Sequence, residues 1–353
     1  METLWVDPAA PCGESMACAA AIIRQGGLVA FPTETVYGLG ANAVDAAAVA
    51  RVYQAKGRPS DNPLIWHGLD TAAFAKVVDF PPLAQKLAAA FWPGALTLVL
   101  NRKPGFGETE AQTLAVRAPS HPVFRALLAQ SGCFIAAPSA NLSGRPSPTL
   151  AAHVAEDLNG RIDLLLDGGP AHNGVESTVV DVHTGVARLL RPGAISLEAL
   201  REIIPVEWCG DTKDKETVKG PEGLLFGGRP AAPLSPGMKY RHYAPRAPLV
   251  LVPSPQEVVA RALASPVSTG GKIGVLATAV SQKMYETAFV GAPHIVVINA
   301  GECLEDVARN LFAVLRRFDT LGVCAIYTET FPKTGVGLAI MNRLEKAAEG
   351  ATL

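Results

Sequence analysis

The stretch Lys56-Gly57-Arg58-Pro59-Ser60-Asp61-Asn62-Pro63-Leu64-Ile65-Trp66-His67 gathers two cations, short hydrogen-bonding side chains and a histidine in one segment. Gly57 and the two prolines restrain the backbone, so these groups are aimed rather than left swinging. Lys and Arg beside Ser, Asp and Asn in a stiff loop suit a phosphate-bearing ligand. Taken alone, the loop also reads as a solvated helix C-terminus, where cations are favoured for their own reasons.

Other stretches offer similar chemistry. Pro32-Thr33-Glu34-Thr35-Val36-Tyr37-Gly38-Leu39-Gly40 carries hydroxyls and a carboxylate. Arg117 ends the apolar run Thr113-Leu114-Ala115-Val116, and its planar fork matches a carboxylate or phosphate; by itself it reads first as a surface ion pair. Pro138-Ser139-Ala140-Asn141-Leu142-Ser143-Gly144-Arg145-Pro146-Ser147 is a Gly/Pro-restrained loop of the kind that forms anion-binding nests. Ser177 and Thr178 lie in Gly174-Val175-Glu176-Ser177-Thr178-Val179-Val180-Asp181, and Arg191 precedes Pro192-Gly193. Capping or solvation explains any one loop. Their recurrence at successive strand ends is what points to a ligand. There is no G-x-x-x-x-G-K-[ST] and no G-x-G-x-x-G, so neither a P-loop nor a dinucleotide fingerprint is present. No nucleophile elbow or Cys–His pair appears either.

The elements that must position these groups follow from periodicity. Helices are expected over 15–25, 45–54 and 121–130, with Asp45 capping the second and His121 starting the third before Pro122. Helical spacing over 74–91 is broken by Pro81-Pro82. Short apolar runs predict strands at 28–31, 64–66, 95–100, 113–117, 133–137, 163–166 and 187–190. Several of the polar loops thus follow strands, where open α/β sheets gather ligands, while the Lys56 loop follows a helix and leads into a strand. Residues 211–248 are interrupted by prolines and read as a linker. Within it, Ser235-Pro236-Gly237-Met238-Lys239-Tyr240-Arg241-His242-Tyr243-Ala244-Pro245 suits a lid over a ligand, a solvated basic tether being the plainer reading. From Leu249 strands (249–252, 272–277, 294–298, 323–327) alternate with helices (256–263, 303–318, 337–348), which predicts a small parallel α/β domain. No catalytic constellation appears there; residues 328–330 and 342–344 read equally as plain surface or as a face toward the first domain. The expected layout is a catalytic domain at 1–210, a linker at 211–248 and a C-terminal domain at 249–353.

At 353 residues, two domains are the default. Hydrophobic residues make up 49% and charged ones 18%, as in a well-packed soluble protein. The net charge of -1 supplies no global attraction for nucleic acid or anionic membrane. No uncharged apolar run reaches the roughly 18 residues of a membrane span, and residues 1–11 lack the basic and apolar regions of a signal peptide. The six cysteines form no C-x-x-C, which argues for a reducing, cytoplasmic setting and against a zinc knuckle.

Taken in order, the runs FPTETVYGLG, KGRPSDNPLIWH, FWPGALTLVL, VRAP, PSANLSGRPSPT, GVESTVVD and LLRPG resemble the Sua5/YrdC family, the threonylcarbamoyl-AMP synthases. The run SPGMKYRHYAP and the α/β stretch after it are similar to the longer Sua5 form. Trp66 stands where a smaller apolar residue is usual. The resemblance implies an N-terminal YrdC-like twisted α/β sheet domain with a concave basic cleft, and a smaller Rossmann-like parallel α/β domain at the C-terminus. It implies that L-threonine, bicarbonate or CO2, and ATP with Mg2+ give L-threonylcarbamoyladenylate and pyrophosphate. The product would serve a downstream tRNA threonylcarbamoyltransferase acting at adenosine 37.

By the same resemblance, Thr35, His67, Arg117 and Ser177 would hold threonine, with Ala137 lining the pocket. Lys56, Arg58 and Asn62 would hold the phosphates, helped by Ser139 and Ser147, with Lys56 and Arg58 carrying the catalytic charge. Thr113 would contact the nucleotide, and Arg191 and Tyr243 would close on it. No protein metal cage is implied. Two rivals remain in view: another carbamoyl-transfer enzyme, for whose extra domains and cysteine motifs the chain has no room, and a weak RNA-binding module using local basic patches.

Overall fold

The computed structural model describes residues 1–11, 13–105, 111–208, 210, 242–266 and 270–349. Short apolar runs separated by amphipathic helices build a first sheet from β1 (Glu2–Trp5), β2 (Val29–Phe31), β3 (Gly38–Asn42), β4 (Ile65–His67), β5 (Leu96–Asn101), β6 (Thr113–Arg117), β7 (Ile135–Ala137), β8 (Leu164–Asp167), β9 (Thr178–Asp181) and β10 (Arg188–Arg191). The connecting helices are α1 (Glu14–Arg24), α2 (Ala46–Lys56), α3 (Thr71–Phe74), α4 (Pro82–Phe91), α5 (Pro122–Ser131), α6 (Ala151–Leu158) and α7 (Leu197–Ile203). Strand order is β1-β8-β2-β3-β7-β4-β6-β5-β9-β10. The sheet is mixed: β4 runs parallel to β6 and β5 to β9, while β7 is antiparallel to both β3 and β4.

Local chemistry explains how the Lys56 segment is delivered. The Asp45 carboxylate accepts from the Ala48 N–H and caps α2. At the other end Gly57 adopts the left-handed conformation, φ 61°, and turns the chain toward β4. The strand β3 begins within the glycine-rich stretch that the sequence places in a loop and runs past its end. A Cβ on Gly40 would lie 2.7 Å from the Phe31 ring and would also strike Ile135. Glycine weakens an isolated strand, but here its missing side chain is what lets β3 lie against its neighbours.

The second sheet contains β11 (Leu249–Val252), β12 (Lys272–Ala277), β13 (Ile295–Asn299) and β14 (Val323–Glu329), with helices α8 (Pro255–Ala264), α9 (Ala279–Ala288), α10 (Leu304–Leu321) and α11 (Gly337–Ala348). Its order is β11-β14-β12-β13 and each neighbouring pair is parallel, as the alternation of elements predicts. Of the expected linker, residues 211–241 lie outside the described residues, and with them most of the basic aromatic run; the description resumes at His242. Among the described residues no helix is long and apolar enough to cross a membrane.

The two units share buried contacts. Val36 and Val175, from loops of the first, belong to one apolar cluster with Phe312 of α10 and Ile340 of α11. Arg316 of α10 donates to Asp157 Oδ2 at 2.7 Å and to the Pro146 carbonyl at 2.6 Å. These two charged side chains are 2% and 0% exposed, and each has a second partner, Arg145 for Asp157 and Glu156 for Arg316, so the contact is part of a buried charge network. The contact fixes the 138–147 loop from the far side.

Candidate functional site

The strand ends converge. Thr35, Lys56, Arg58, His67, Arg117, Ala137, Ser139, Ser147, Ser177, Arg191 and Tyr243 line one cleft of about 750 Å³, its open mouth included. Two other residues singled out in the sequence lie elsewhere. Asn62 is buried, and its backbone carbonyl accepts from Arg58 Nε and Tyr53 Oη, both at 3.2 Å. It braces the Arg58 loop instead of lining the cleft. Thr113 opens β6 opposite Asn101, about 13 Å along the strand from Arg117 at ~3.3 Å per residue.

One side of the cleft is organised around Arg117. Register places His67 of β4 directly beside Arg117 of β6. Arg117 Nε donates to the Gly94 carbonyl and Nη1 to Thr35 Oγ1, each at 3.1 Å. Its Nη2 lies 2.7 Å from Glu34 Oε1, an ion-pair contact whose angle is not that of a hydrogen bond. Burial would raise the Glu34 carboxyl, but the Arg117 charge outweighs it and holds Glu34 below its usual range. The Thr33 hydroxyl donates to the Val36 carbonyl at 2.6 Å. The proton in the Thr33–Thr35 contact therefore comes from Thr35, whose oxygen also accepts from Arg117. Thr35 is thus left able only to accept from a ligand.

His67 is pushed down to about 3, first by burial and then by the Arg117 charge, so the ring is neutral at physiological pH. Its Nδ1 faces the Ile135 carbonyl at 3.3 Å. A carbonyl can only accept, so that nitrogen carries the proton.

The other side is cationic. Burial, and then the charge of Arg58, pushes Lys56 well below the ordinary lysine range. Its Nζ donates to the main-chain carbonyls of Ser139 and Asn141, so it holds the 138–147 loop as well as facing the cleft. Arg58 is lowered to about 10, chiefly by burial, and remains charged at neutral pH. Arg191 grips the Ser177 carbonyl through Nε and Nη2 and reaches Ser177 Oγ at 3.1 Å. Ser177 Oγ also meets Thr97 Oγ1 at 2.7 Å.

Comparison with known proteins bears on this constellation. A family model described as "Telomere recombination" (Sua5_yciO_yrdC) matches residues 21–193, and one described as "Threonylcarbamoyl-AMP synthase, C-terminal domain" matches residues 195–349. The threonylcarbamoyl-AMP synthase of Bacillus subtilis is 45% identical over 344 residues, 96% of this chain and 94% of its own length. The chain belongs to the Sua5/YrdC family. The Pyrococcus abyssi threonylcarbamoyl-AMP synthase is 43% identical over 94% of this chain and 93% of its own. The crystal structure of P. abyssi Sua5 complexed with L-threonine superposes with a TM-score of 0.83 at 39% identity, covering 99% of this chain and 98% of that one.

The Sua5-type cleft also holds residues that the sequence did not single out as site residues, among them Thr33, Asn141, Glu176 and His242. Asn141 accepts from Ser139 Oγ at 2.5 Å and donates to the Arg145 carbonyl at 3.0 Å, which shapes the loop. His242 Nε2 is buried and has no hydrogen-bond partner among the described residues. Its ring is pushed down to about 4 by burial and then by Arg58. Glu176 lies inside a motif already noted, but a carboxylate beside anion-binding groups runs against the local pattern. Its partner, Arg343 on α11, is 167 positions away.

Proposed function

We propose that this cleft joins L-threonine, bicarbonate or CO2, and ATP into L-threonylcarbamoyladenylate with release of pyrophosphate. The observation that carries the reading is the convergence of Lys56, Arg58, Arg117 and Arg191, from four separate stretches of chain, on one hollow that also holds Thr35, His67 and Ser177. In this reading the unit 1–210 carries the chemistry, 211–248 connects, and 249–353 supports the cleft. The Sua5/YrdC membership and the threonine-bound P. abyssi Sua5 support it.

Arg117, oriented by Glu34, Gly94 and Thr35, faces the threonine carboxylate, and Thr35 accepts from its ammonium or hydroxyl group. The neutral His67 adds no charge beside the amine that must act as nucleophile. In its neutral form the amine nitrogen attacks the carbon of CO2 and releases a proton to solvent, giving a carbamate. A carbamate oxygen then attacks the α-phosphorus of ATP, and the bond to pyrophosphate breaks.

Arg58, Lys56 and Arg191 neutralise the charge that develops on the departing group. Ser139 and Ser147 supply hydroxyls beside the phosphates, and Ala137 leaves room for threonine. Tyr243 closes the cleft against water, which would hydrolyse both carbamate and mixed anhydride.

Among the described residues no cluster of His, Cys, Asp or Glu is suited to a metal ion, and Glu176 is engaged by Ser147 and Arg343. This donor set fits an Mg2+ ion that travels on the phosphates of ATP rather than in a protein cage. When bound, such an ion offsets phosphate charge. The product would be consumed in the cytoplasm by a tRNA threonylcarbamoyltransferase forming N6-threonylcarbamoyladenosine at position 37.

The test is pyrophosphate release from ATP and bicarbonate with and without L-threonine, with the adenylate identified by mass. Release that does not depend on threonine would reject the reading. RNA retention on a filter without threonine-dependent turnover would favour the RNA-binding alternative.

A further inference from the structure

Glu176 poses a problem for an anion site. It lines the cleft, its side chain is only 10% exposed, and a carboxylate there repels phosphate. Its Oε1 accepts from Ser147 Oγ at 2.5 Å and its Oε2 from Arg343 Nε at 2.7 Å. Burial pushes Glu176 up, but the charges of Arg343 and then Arg191 hold it below its usual range, so it is ionised at neutral pH.

Arg343 comes from α11, in the C-terminal unit where the sequence indicates no chemistry. It is fully buried, an environment in which a cation is normally costly unless paired. Besides Glu176, its Nη1 donates to the Pro192 carbonyl at 2.7 Å and to Asn342 Oδ1 at 2.9 Å. Pro192 directly follows Arg191. The guanidinium carbon also sits 5.4 Å from the centre of the Tyr243 ring, which stacks on Phe312 of α10 at 5.4 Å. Tyr243 is held at φ 65°, a costly conformation for a residue with a side chain, retained where surrounding packing over-determines it.

The remaining cation beside Glu176 is no substitute. Arg191 is already committed to Ser177 through Nε and Nη2. If Arg343 were lost, Glu176 would lose its ion-pair partner and keep the Ser147 hydrogen bond and the charge of Arg191, leaving a less well offset negative charge facing the cleft.

We infer that Arg343 is a positioning residue for the nucleotide half of the cleft: acting through Glu176, it cancels a buried carboxylate that would otherwise repel the phosphates of ATP. The C-terminal unit thereby takes part in ATP binding without touching ATP. The inference rests on the reading of the cleft as an ATP and threonine site.

The test is a charge-pair cycle read by calorimetry, with a non-hydrolysable ATP analogue plus Mg2+ as one probe and L-threonine as the other, on full-length chains. Arg343→Met should weaken the ATP analogue by about tenfold or more, as expected for an unpaired buried charge, and leave threonine nearly unchanged. Adding Glu176→Gln to that variant should recover most of the lost ATP affinity, a reversal that simple loss of packing would not produce. An unchanged ATP affinity in Arg343→Met, an equal loss for both probes, or no recovery in the double variant overturns the inference. Should Arg343→Met fail to fold, Glu176→Gln is compared with Glu176→Gln/Arg343→Met. Equal affinities support the inference and a further large loss overturns it. An unmodified chain that binds no ATP analogue removes the ATP reading and this inference together; normal binding with an indifferent Arg343 removes this inference alone.

Discussion

Arg117 Nη1 donates to Thr35 Oγ1 across 3.1 Å, joining residues 82 positions apart in the chain. The same guanidinium holds Gly94 and meets Glu34, so its fork is fixed in one orientation and, among the described residues, N–H groups remain free for a ligand. Lysine keeps the charge but has one point donor in place of a planar fork. Arg117→Lys should therefore weaken threonine by about 10- to 100-fold, the loss expected for one or two charge-assisted hydrogen bonds. ATP affinity should stay close to that of the unmodified chain. Equal affinity for threonine in the variant would remove Arg117 from the threonine side.

Arg58 offers a cleaner separation of chemistry from fold. Among the described residues its side chain donates hydrogen bonds to the carbonyls of Asn62 and Pro63, each at 3.2 Å. Losing them should cost about 1–2 kcal/mol, leaving a folded chain. If its charge stabilises the departing pyrophosphate, Arg58→Ala should lower turnover on the order of 100-fold. Pyrophosphate release and a denaturation midpoint from one preparation decide it; a folded variant at full rate would exclude the role.

Acid should destabilise the protein before its carboxylates titrate. Burial pushes His67 down to about 3 and His153 and His242 down to about 4. Between these values and about 6.5 the unfolded chain binds protons that the folded chain refuses, so stability falls as pH falls through that window. His67 alone contributes about 2 kcal/mol of loss by pH 5. The Tm should drop between pH 7.5 and 5, and the drop should be smaller in His67→Asn. Parallel curves for the two chains would contradict the buried neutral histidine.

Gly174 tests the junction between the two units. It has φ 72°, and a Cβ there would strike the Arg309 backbone and come within 2.5 Å of the Ala308 carbonyl. Gly174→Ala combines backbone strain with a close clash, together worth about 2–4 kcal/mol. We expect a lowered unfolding midpoint and a separate transition for the C-terminal unit. One unchanged cooperative transition would mean that the junction yields without cost.

Some of this architecture is carried by local rules. Asp45 before an Ala-rich run, Gly57 after it and the short apolar run ending at Trp66 place α2 and β4 correctly, because caps, left-handed glycines and strand periodicity act over a few residues. The parallel C-terminal sheet follows from the same alternation. Others escape for equally physical reasons. β3 has poor strand composition, and its glycines make sense only once Phe31 and Ile135 lie against them. Apolar spacing predicts no helix at α6, α7 or α9.

The sequence alone determined which loops carry hydroxyls and cations, and the family to which their order belongs, since residue type and order along the chain are properties of the chain itself. Tertiary structure decided which of those groups share a hollow. It took Asn62 and Thr113 out of the lining and brought His67 beside Arg117 by strand register. It also set Arg343 against Glu176 from the far end of the chain. Strand register and buried charge pairing depend on packing between distant segments, and no local spacing in the sequence encodes them.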